Sequence, residues 1–250
     1  MDPSRAHPAE PGASGRPPPS GLDAQEIDLA ITPLRDLNAA LHDVGEDGPR
    51  RWRVLNPRGA HALAAGIDAP IEVDVEGHAG YYCAGMNQLA TVRVHGNAGV
   101  GVAENIMSGS VVVHGNASQS AGATGRGGLV SIRGDASARC GISMKGVDIV
   151  VRGSVGHMSA FMAQKGRLVV CGDAGEALGD SNYEARLYVR GAVAGLGADC
   201  VEKEMRDEHR TELGELLGLA EVEGCEVSEF RRYGSARRLY NFHVDNAGEY

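Results

Sequence analysis

Every nineteenth position through the middle of this chain is a glycine. The seven repeat glycines divide the sequence into rungs of equal length, and they are Gly77, Gly96, Gly115, Gly134, Gly153, Gly172 and Gly191. A fixed internal period is typical of proteins that stack copies of one small unit, so we expect a repeat fold. Glycine supplies 36 of the 250 residues and aromatics only 4%, which indicates a narrow core without bulky rings.

Two aliphatic columns precede the repeat glycines. The residues two positions before them are Val75, Val94, Val113, Ile132, Val151, Val170 and Val189, and those four before are Val73, Val92, Val111, Val130, Ile149, Leu168 and Leu187. A spacing of two is the strand period, so each rung holds one strand with both aliphatics inward and a glycine where the chain bends.

The return part of each rung is rich in glycine and lacks a helical period, which argues against a helix there. Seven positions after each repeat glycine, every residue is Gly or Ala, as a tight cross-section requires. The sequence therefore predicts an all-β fold, a parallel β-helix of seven rungs with short helical caps. The general preference of crossover connections favours the right-handed form.

The flanking sequence divides into three further segments. Residues 1–22 hold six of the ten prolines and are predicted to be a disordered leader. Residues 23–70 form an N-terminal cap and entry segment, 71–200 the β-helix, and 201–250 a C-terminal helix and tail. In the tail, four arginines between Arg231 and Arg238 stand among tyrosines and acids, and we expect a partner to order this part.

Two helices are predicted outside the repeats, where they would cover the ends of the solenoid. The first follows a strand from Ile27 to Ile31, with Asp36 as its cap and with Leu37 and Leu41 at helical spacing. The second runs from Val201 to Gly218, and the residues of its apolar side are Met205, Leu213, Leu216 and Leu217.

Charge and cysteine usage exclude several classes of protein. A formal net charge of -9 disfavours nucleic-acid binding, and no apolar run approaches the roughly 18 residues of a membrane span. The N-terminus lacks the pattern of a signal peptide, so we expect a cytoplasmic protein. The cysteines are odd in number and none forms a C-x-x-C pair, which predicts reduced thiols without an internal disulfide or metal cluster: Cys83, Cys140, Cys171, Cys200 and Cys225.

Two polar columns raise the question of catalysis. Asp135 and Asp173 follow repeat glycines two rungs apart, roughly 9–10 Å at cross-β spacing, which is near the upper limit for an inverting glycosidase pair. Polar residues beside a glycine bend more commonly form turn hydrogen bonds and amide ladders, and we favour that interpretation. His95 and His114 stand on adjacent rungs in an outward column, but two histidines make an incomplete metal site.

The column of His95 and His114 also contains Arg133, Arg152 and Arg190, which indicates a solvated or partner-facing strip. These arginines and those of the tail are our candidate contact surfaces. No nucleophile motif, phosphate loop or dinucleotide fingerprint is present in a suitable context. We therefore assign no catalytic, cofactor-binding or metal-binding residue to this chain.

The rung sequences "VHGNAGVGVAENIMSG" and "VHGNASQSAGATGRGG" resemble the glycine-repeat (GXGXG) β-helix domain at the C-terminus of glutamate synthase. The likeness covers about residues 70–200, and the entry segment "TPLRDLNAALHD" is also similar to the glutamate synthase version. The tail "RRYGSARRLYNF" is similar to the free-standing bacterial form of the domain. N-methylglutamate synthase of methylamine metabolism is one enzyme with that form. The resemblance implies a structural subunit without catalytic residues.

The resemblance also implies partners, namely a glutamine amidotransferase-like subunit and an FMN-binding glutamate synthase-like subunit. The FMN and any iron–sulfur cluster would be bound by the latter, and none by this chain. One of the subunits of formylmethanofuran dehydrogenase shares the domain, so a scaffold of that complex is an alternative. A β-helix carbohydrate-active enzyme is a third, and a hexapeptide acyltransferase does not fit because 19 is not a multiple of six.

Overall fold

The computed structural model describes residues 24–238, so the predicted leader at 1–22 and the last part of the tail lie outside the described residues. Within this range there are two helices, eleven strands and one 3-10 turn at Val227–Glu229. The strands and helices are β1 (Gln25–Asp28), α1 (Leu34–His42), β2 (Arg51–Leu55), β3 (Glu72–Val75), β4 (Thr91–Val94), β5 (Ser110–Val113), β6 (Leu129–Ile132), β7 (Lys145–Val151), β8 (Lys165–Val170), β9 (Arg186–Val189), β10 (Cys200–Lys203), α2 (Asp207–Leu219) and β11 (Arg231–Ser235).

One strand per rung pairs with its counterpart in the next rung. Strands β1 to β9 lie side by side in sequence order, all parallel, and β11 and β10 complete the sheet at the far edge. From β3 to β6 the register follows the repeat, so that Val94 pairs with Val113 and Val113 with Ile132. The predicted all-β, parallel β-helix with its constant repeat interval is confirmed.

The ladder also extends beyond the glycine repeat at its N-terminal end. β2 pairs in parallel with β3, although the separation from Arg51 to its partner Glu72 exceeds the repeat interval. β1 pairs with β2, and the separation from Gln25 to Trp52 is longer still because α1 is inserted between these strands. The entry segment thus continues the solenoid, but the connections between its strands are longer than those of the repeat. Its residues therefore do not follow the repeat interval.

The two aliphatic columns form the centre of the core. Every member of both columns is 0% exposed, which confirms that they are stacked inside the solenoid. A third inward column, six positions after the repeat glycines, adds Cys83, Val102 and Cys140, also at 0%. All five cysteines are free thiols, and four of them are buried, as expected for cysteine used as a small apolar residue.

The return part of each rung alternates in backbone handedness. Residues five, seven and nine positions after each of the first six repeat glycines adopt positive φ, as Ser120 (62°), Gly122 (66°) and Thr124 (57°) do in one rung. The amides of Ser120 and Thr124 donate to carbonyls of the next rung, whereas that of Gly122 donates to the Val102 carbonyl of the previous rung. The alternation therefore keeps the backbone paired between rungs even where the chain bends.

Helix α1 closes the N-terminal end of the core. Its Leu37 and Leu41 are fully buried in the main apolar cluster, and the Asn38 amide donates to the Ala62 carbonyl at 2.9 Å. Two details of the prediction are wrong. The strand before the helix ends at Asp28 instead of Ile31, and the cap position is Pro33, with Asp36 in the first turn.

The C-terminal end is closed by strands, and α2 lies elsewhere. β11 pairs antiparallel with both β9 and β10, and Tyr233 and Cys200 belong to the main core cluster. The helix predicted from Val201 begins only at Asp207, because Cys200–Lys203 forms β10. Part of the tail that we expected a partner to order is thus held by this chain itself.

Candidate functional site

The polar residues that follow the repeat glycines form a structural ladder. The Asn116 side-chain oxygen accepts a hydrogen bond from the Asp135 amide at 2.8 Å, and the Asp135 carboxylate accepts one from the Ser154 amide at 2.7 Å. The same bond recurs from His78 on one side to Ala192 on the other. Each side chain thus supplies the acceptor for the next rung, which supports the turn interpretation over a glycosidase pair.

This ladder predicts a stability effect without a catalytic one. We expect Asp135→Ala to lower the free energy of unfolding by about 1 kcal/mol, because the Ser154 amide loses its acceptor. Asp135→Asn is the matched control, and it should change the free energy of unfolding little, since an amide oxygen still accepts the hydrogen bond. Urea unfolding of both variants measures the difference. Equal losses in the two variants would contradict the ladder and renew interest in the charge of Asp135.

The histidine column holds a hydrogen bond to Asp74 and a ring stack. His95 Nε2 lies 2.7 Å from Asp74 Oδ1, and the rings of His95 and His114 stack with centroids 4.6 Å apart. Burial lowers the pKa of His114, and the nearby charges of His95 and Arg133 lower it further. Between residues 24 and 238 no group of three or more His, Cys, Asp or Glu side chains is arranged to hold a metal ion.

The C-terminal segment, defined here as residues 204–230, covers the outer face of the later rungs. Leu213, Leu216 and Leu217 of α2 pack with Val150 and Tyr188, which point outward from β7 and β9. Glu212 is the polar centre of this contact and accepts hydrogen bonds from Tyr188 and Arg186 at 2.6 Å each. The outward side chains of the later rungs are therefore apolar because this chain's own helix lies on them.

The arginines predicted to contact partners are held largely within the chain. Arg133 forms a 2.6 Å ion pair with Glu221, and Arg190 lies 3.4 Å from Glu229, so both contact the C-terminal segment. In the tail, Arg237 pairs with Glu184 at 2.9 Å, and Arg231 and Arg232 donate to backbone carbonyls. These residues hold the C-terminal segment and the tail to the solenoid.

The outer face of β4 to β6 is not covered by α2 and forms a groove of about 310 Å³ beside the end of that helix. Arg93, His114 and Ser131 line it, and the exposed Leu219 stands at its edge. The Ser131 hydroxyl and the Arg133 Nε are buried without a hydrogen-bond partner. The groove joins polar groups of three rungs, and the Arg93 guanidinium in it is paired with Glu72 on the preceding rung.

Sequence reasoning missed an apolar stretch on the first two rungs. Among the described residues, five of the nine exposed large apolar side chains fall there, and they are Tyr81, Tyr82, Met86, Leu89 and Met107. Four of them are at least half exposed, at 50–55%. We call this set the apolar stretch. A concentration of exposed Tyr, Met and Leu at one end of a domain is typical of a protein–protein contact.

Comparison with known proteins gives the family. Protein GlxC of Rhizobium meliloti (strain 1021) is 64% identical to this chain over 225 residues, which cover 90% of this chain and 99% of that protein. The chain belongs to the GlxC family. No family model and no solved structure matches it.

In the geometry described above, the polar columns that follow the repeat glycines are used for hydrogen bonds between rungs. No helix in the described part of the chain has the length and apolar character needed to cross a membrane. Surface features that take no part in the pairing between rungs include the groove on β4 to β6 and the apolar stretch.

Proposed function

We propose that this chain is a non-catalytic structural subunit of a glutamate-synthase-type enzyme, located in the cytoplasm. It would hold together a glutamine amidotransferase-like subunit and an FMN-binding glutamate synthase-like subunit. The reaction we favour is that of glutamate synthase or of N-methylglutamate synthase. FMN and any iron–sulfur cluster would lie in the second partner, and neither nucleic acid nor membrane is involved.

The observation that carries this proposal is that side chains of the polar columns accept hydrogen bonds between rungs. Asp135 and Asp173, the acids nearest to a catalytic pair, accept backbone hydrogen bonds from the next rung at 2.7 Å each. A side chain that completes the solenoid's hydrogen bonding is a structural component. The similarity of the rungs to the glutamate synthase repeat domain supports the choice of complex.

The solenoid also has a shape suited to joining two enzymes. Its ladder of nine parallel strands is paired through both strands and bends, so its two ends keep a fixed relation. Two chains that bind different parts of such a rod are held at a constant separation, which a split enzyme needs for transfer of ammonia or an amine. We propose that the apolar stretch contacts one of the two partners.

We expect the purified chain to bind no flavin and to show neither glutaminase nor synthase activity. Co-expressed with the two partner subunits, the chain should purify with both, and glutamine- or glutamate-dependent turnover should require it. Affinity purification with mass spectrometry tests the association, and turnover of the partners with and without the chain tests the role. Full activity of the two partners alone, or turnover by this chain alone, would contradict the proposal.

The proposed contact is tested by inserting charge into the apolar stretch. The Met86→Lys, Leu89→Lys double variant should weaken binding of one partner at least tenfold, because desolvating a charge in an apolar interface is costly. Ser137→Lys, at an exposed position in the middle of the solenoid, is the control and should bind normally. Binding of each partner separately identifies which of the two uses this surface.

A further inference from the structure

Two cysteines from distant parts of the chain meet beneath the C-terminal segment. Cys171 follows β8 in the outward column, is 6% exposed and belongs to the apolar cluster under α2. Cys225 lies in the loop after α2, is half-buried and packs against that same cluster. The two side chains thus pack in one apolar cluster, beside the guanidinium of Arg190. One thiol of the pair therefore belongs to the solenoid and the other to the segment that covers it.

Arginines stand next to both sulfur atoms. Arg190 occupies the same outward column as Cys171, one rung later, and its Nη1 lies 3.0 Å from the Cys225 Sγ. Arg152 occupies that column one rung earlier, and its charge also acts on Cys171. Reactive protein thiols occur in partly exposed, electropositive surroundings of this kind.

The two thiols differ in accessibility, which gives them different roles. Burial raises the pKa of Cys171 to about 12, so this sulfur stays protonated at neutral pH. Cys225 is only partly buried and has the guanidinium of Arg190 against it. Cys225 is thus the group that an oxidant reaches first, and Cys171 is the group placed to react with the product.

We propose that Cys171 and Cys225 form an oxidisable pair that a hydroperoxide converts into a disulfide, which fastens the C-terminal segment to the solenoid. The Cys225 thiolate attacks the terminal peroxide oxygen and the O–O bond breaks, giving a sulfenic acid and, after protonation, water or an alcohol. The Cys171 sulfur then attacks Cys225 Sγ, and hydroxide leaves as water with the Cys171 proton. Two thiols are oxidised and one peroxide is reduced.

The disulfide would act on the covered part of the outer face. Helix α2 and the loop to Cys225 are held there by the apolar contacts and by the bonds from Arg186 and Tyr188 to Glu212. In the reduced chain those noncovalent contacts alone hold the segment, whereas the oxidised chain ties it to β8. The inference concerns this chain by itself and does not depend on the proposed enzyme complex.

The test uses the reduced full-length chain and hydrogen peroxide. Titration of the denatured protein should find five free thiols before treatment and three afterwards, and peptide mapping should find Cys171 joined to Cys225. Hydrogen exchange of α2 should slow at least tenfold on oxidation and recover with a reductant. Five thiols after treatment, or a cross-link between any other pair, would overturn the proposal.

Single substitutions separate the roles of the two sulfurs. Cys225→Ser should prevent the cross-link, and Cys171→Ser should leave a sulfenic acid on Cys225 that a dimedone reagent traps. Arg190→Gln should slow the loss of thiols about tenfold while Arg190→Lys restores part of the rate. Arg139→Gln, at an exposed arginine elsewhere on the solenoid, should oxidise at the normal rate. Unchanged oxidation in Cys225→Ser would refute the pair.

Discussion

The variant Ile132→Asp should lose the central rungs of the solenoid. Ile132 is 0% exposed and lies in the middle of its column, paired with Val113 on one side and Val151 on the other. A carboxylate there has no hydrogen-bond donor within the aliphatic column, so the expected loss of stability exceeds about 4 kcal/mol. Because each rung contacts only its neighbours, the damage should begin at β6 and spread in both directions.

Circular dichroism and hydrogen exchange measure this loss. The amides of β5 to β7, which are the best protected in a stable solenoid, should exchange at the rate of exposed amides, and thermal unfolding should lose its cooperativity. Ser137→Asp is the matched control, because it inserts the same charge at an exposed position of the same rung. A soluble Ile132→Asp protein that melts cooperatively near the temperature of the unmodified chain would contradict the stacking of the column.

Periodicity explains why the core could be predicted so completely. A strand places alternate residues on opposite faces, so the side chains of Val113 and Val111 had to share a face, and the constant interval of the repeat had to stack them on their counterparts. One register fixed all seven rungs at once, because every rung has the same length. Their complete burial follows from the same pattern.

The same reasoning failed wherever the chain leaves the period. Strands β1 and β2 join the ladder after returns longer than those of the repeat, and no glycine register marks them. Helix α2 contacts Val150 and Tyr188, and Cys225 contacts Cys171. Both contacts join segments without a common repeat. One signal was available: the outward residues Val150, Val169 and Tyr188 are apolar where earlier rungs have Asp74 and Arg93, which indicates a covered face.

The candidate contact surfaces were likewise predicted only in part from the sequence. The arginine column was predicted correctly as outward, yet its contacts with Glu221 and Glu229 could not be foreseen, because the C-terminal segment has no periodic position. The apolar stretch was overlooked because the positions of Tyr82 and Met86 have no constant character, since other rungs place Ser120 or Met158 and Thr124 or Met162 there. The available signal was the concentration of Tyr81, Tyr82, Met86 and Leu89 within one rung.

The role of the repeat glycines is the clearest difference between expectation and structure. We expected them to provide a bend, yet only Gly77 among them has positive φ, whereas the left-handed positions hold residues such as Ser120 and Met158. A Cβ on Gly134 would clash with Asn116 Oδ1 and would lie 2.8 Å from the Gly115 carbonyl oxygen. Glycine is therefore required by the close approach of adjacent rungs and not by backbone conformation.

We therefore expect Gly134→Ala to destabilise the protein by about 3 kcal/mol, since the added methyl group forces two paired rungs apart. Gly218→Ala in α2 is the matched control. Its Cβ would meet nothing within 4 Å, and alanine favours a helix over glycine, so stability should rise by roughly 0.5–1 kcal/mol. Urea unfolding of both variants should thus give changes of opposite sign.

A double variant separates the two contacts of the added methyl group. Asn116→Ala removes the clashing side-chain oxygen and leaves the Gly115 carbonyl at 2.8 Å. When it is combined with Gly134→Ala, the loss in free energy of unfolding should be smaller than the sum of the losses in the two single variants. The reason is that the oxygen that clashes is the one removed. If the losses in free energy of the two single variants simply add in the double variant, the carbonyl alone sets the spacing of the rungs. A neutral Gly134→Ala would mean that the rungs do not approach this closely at all.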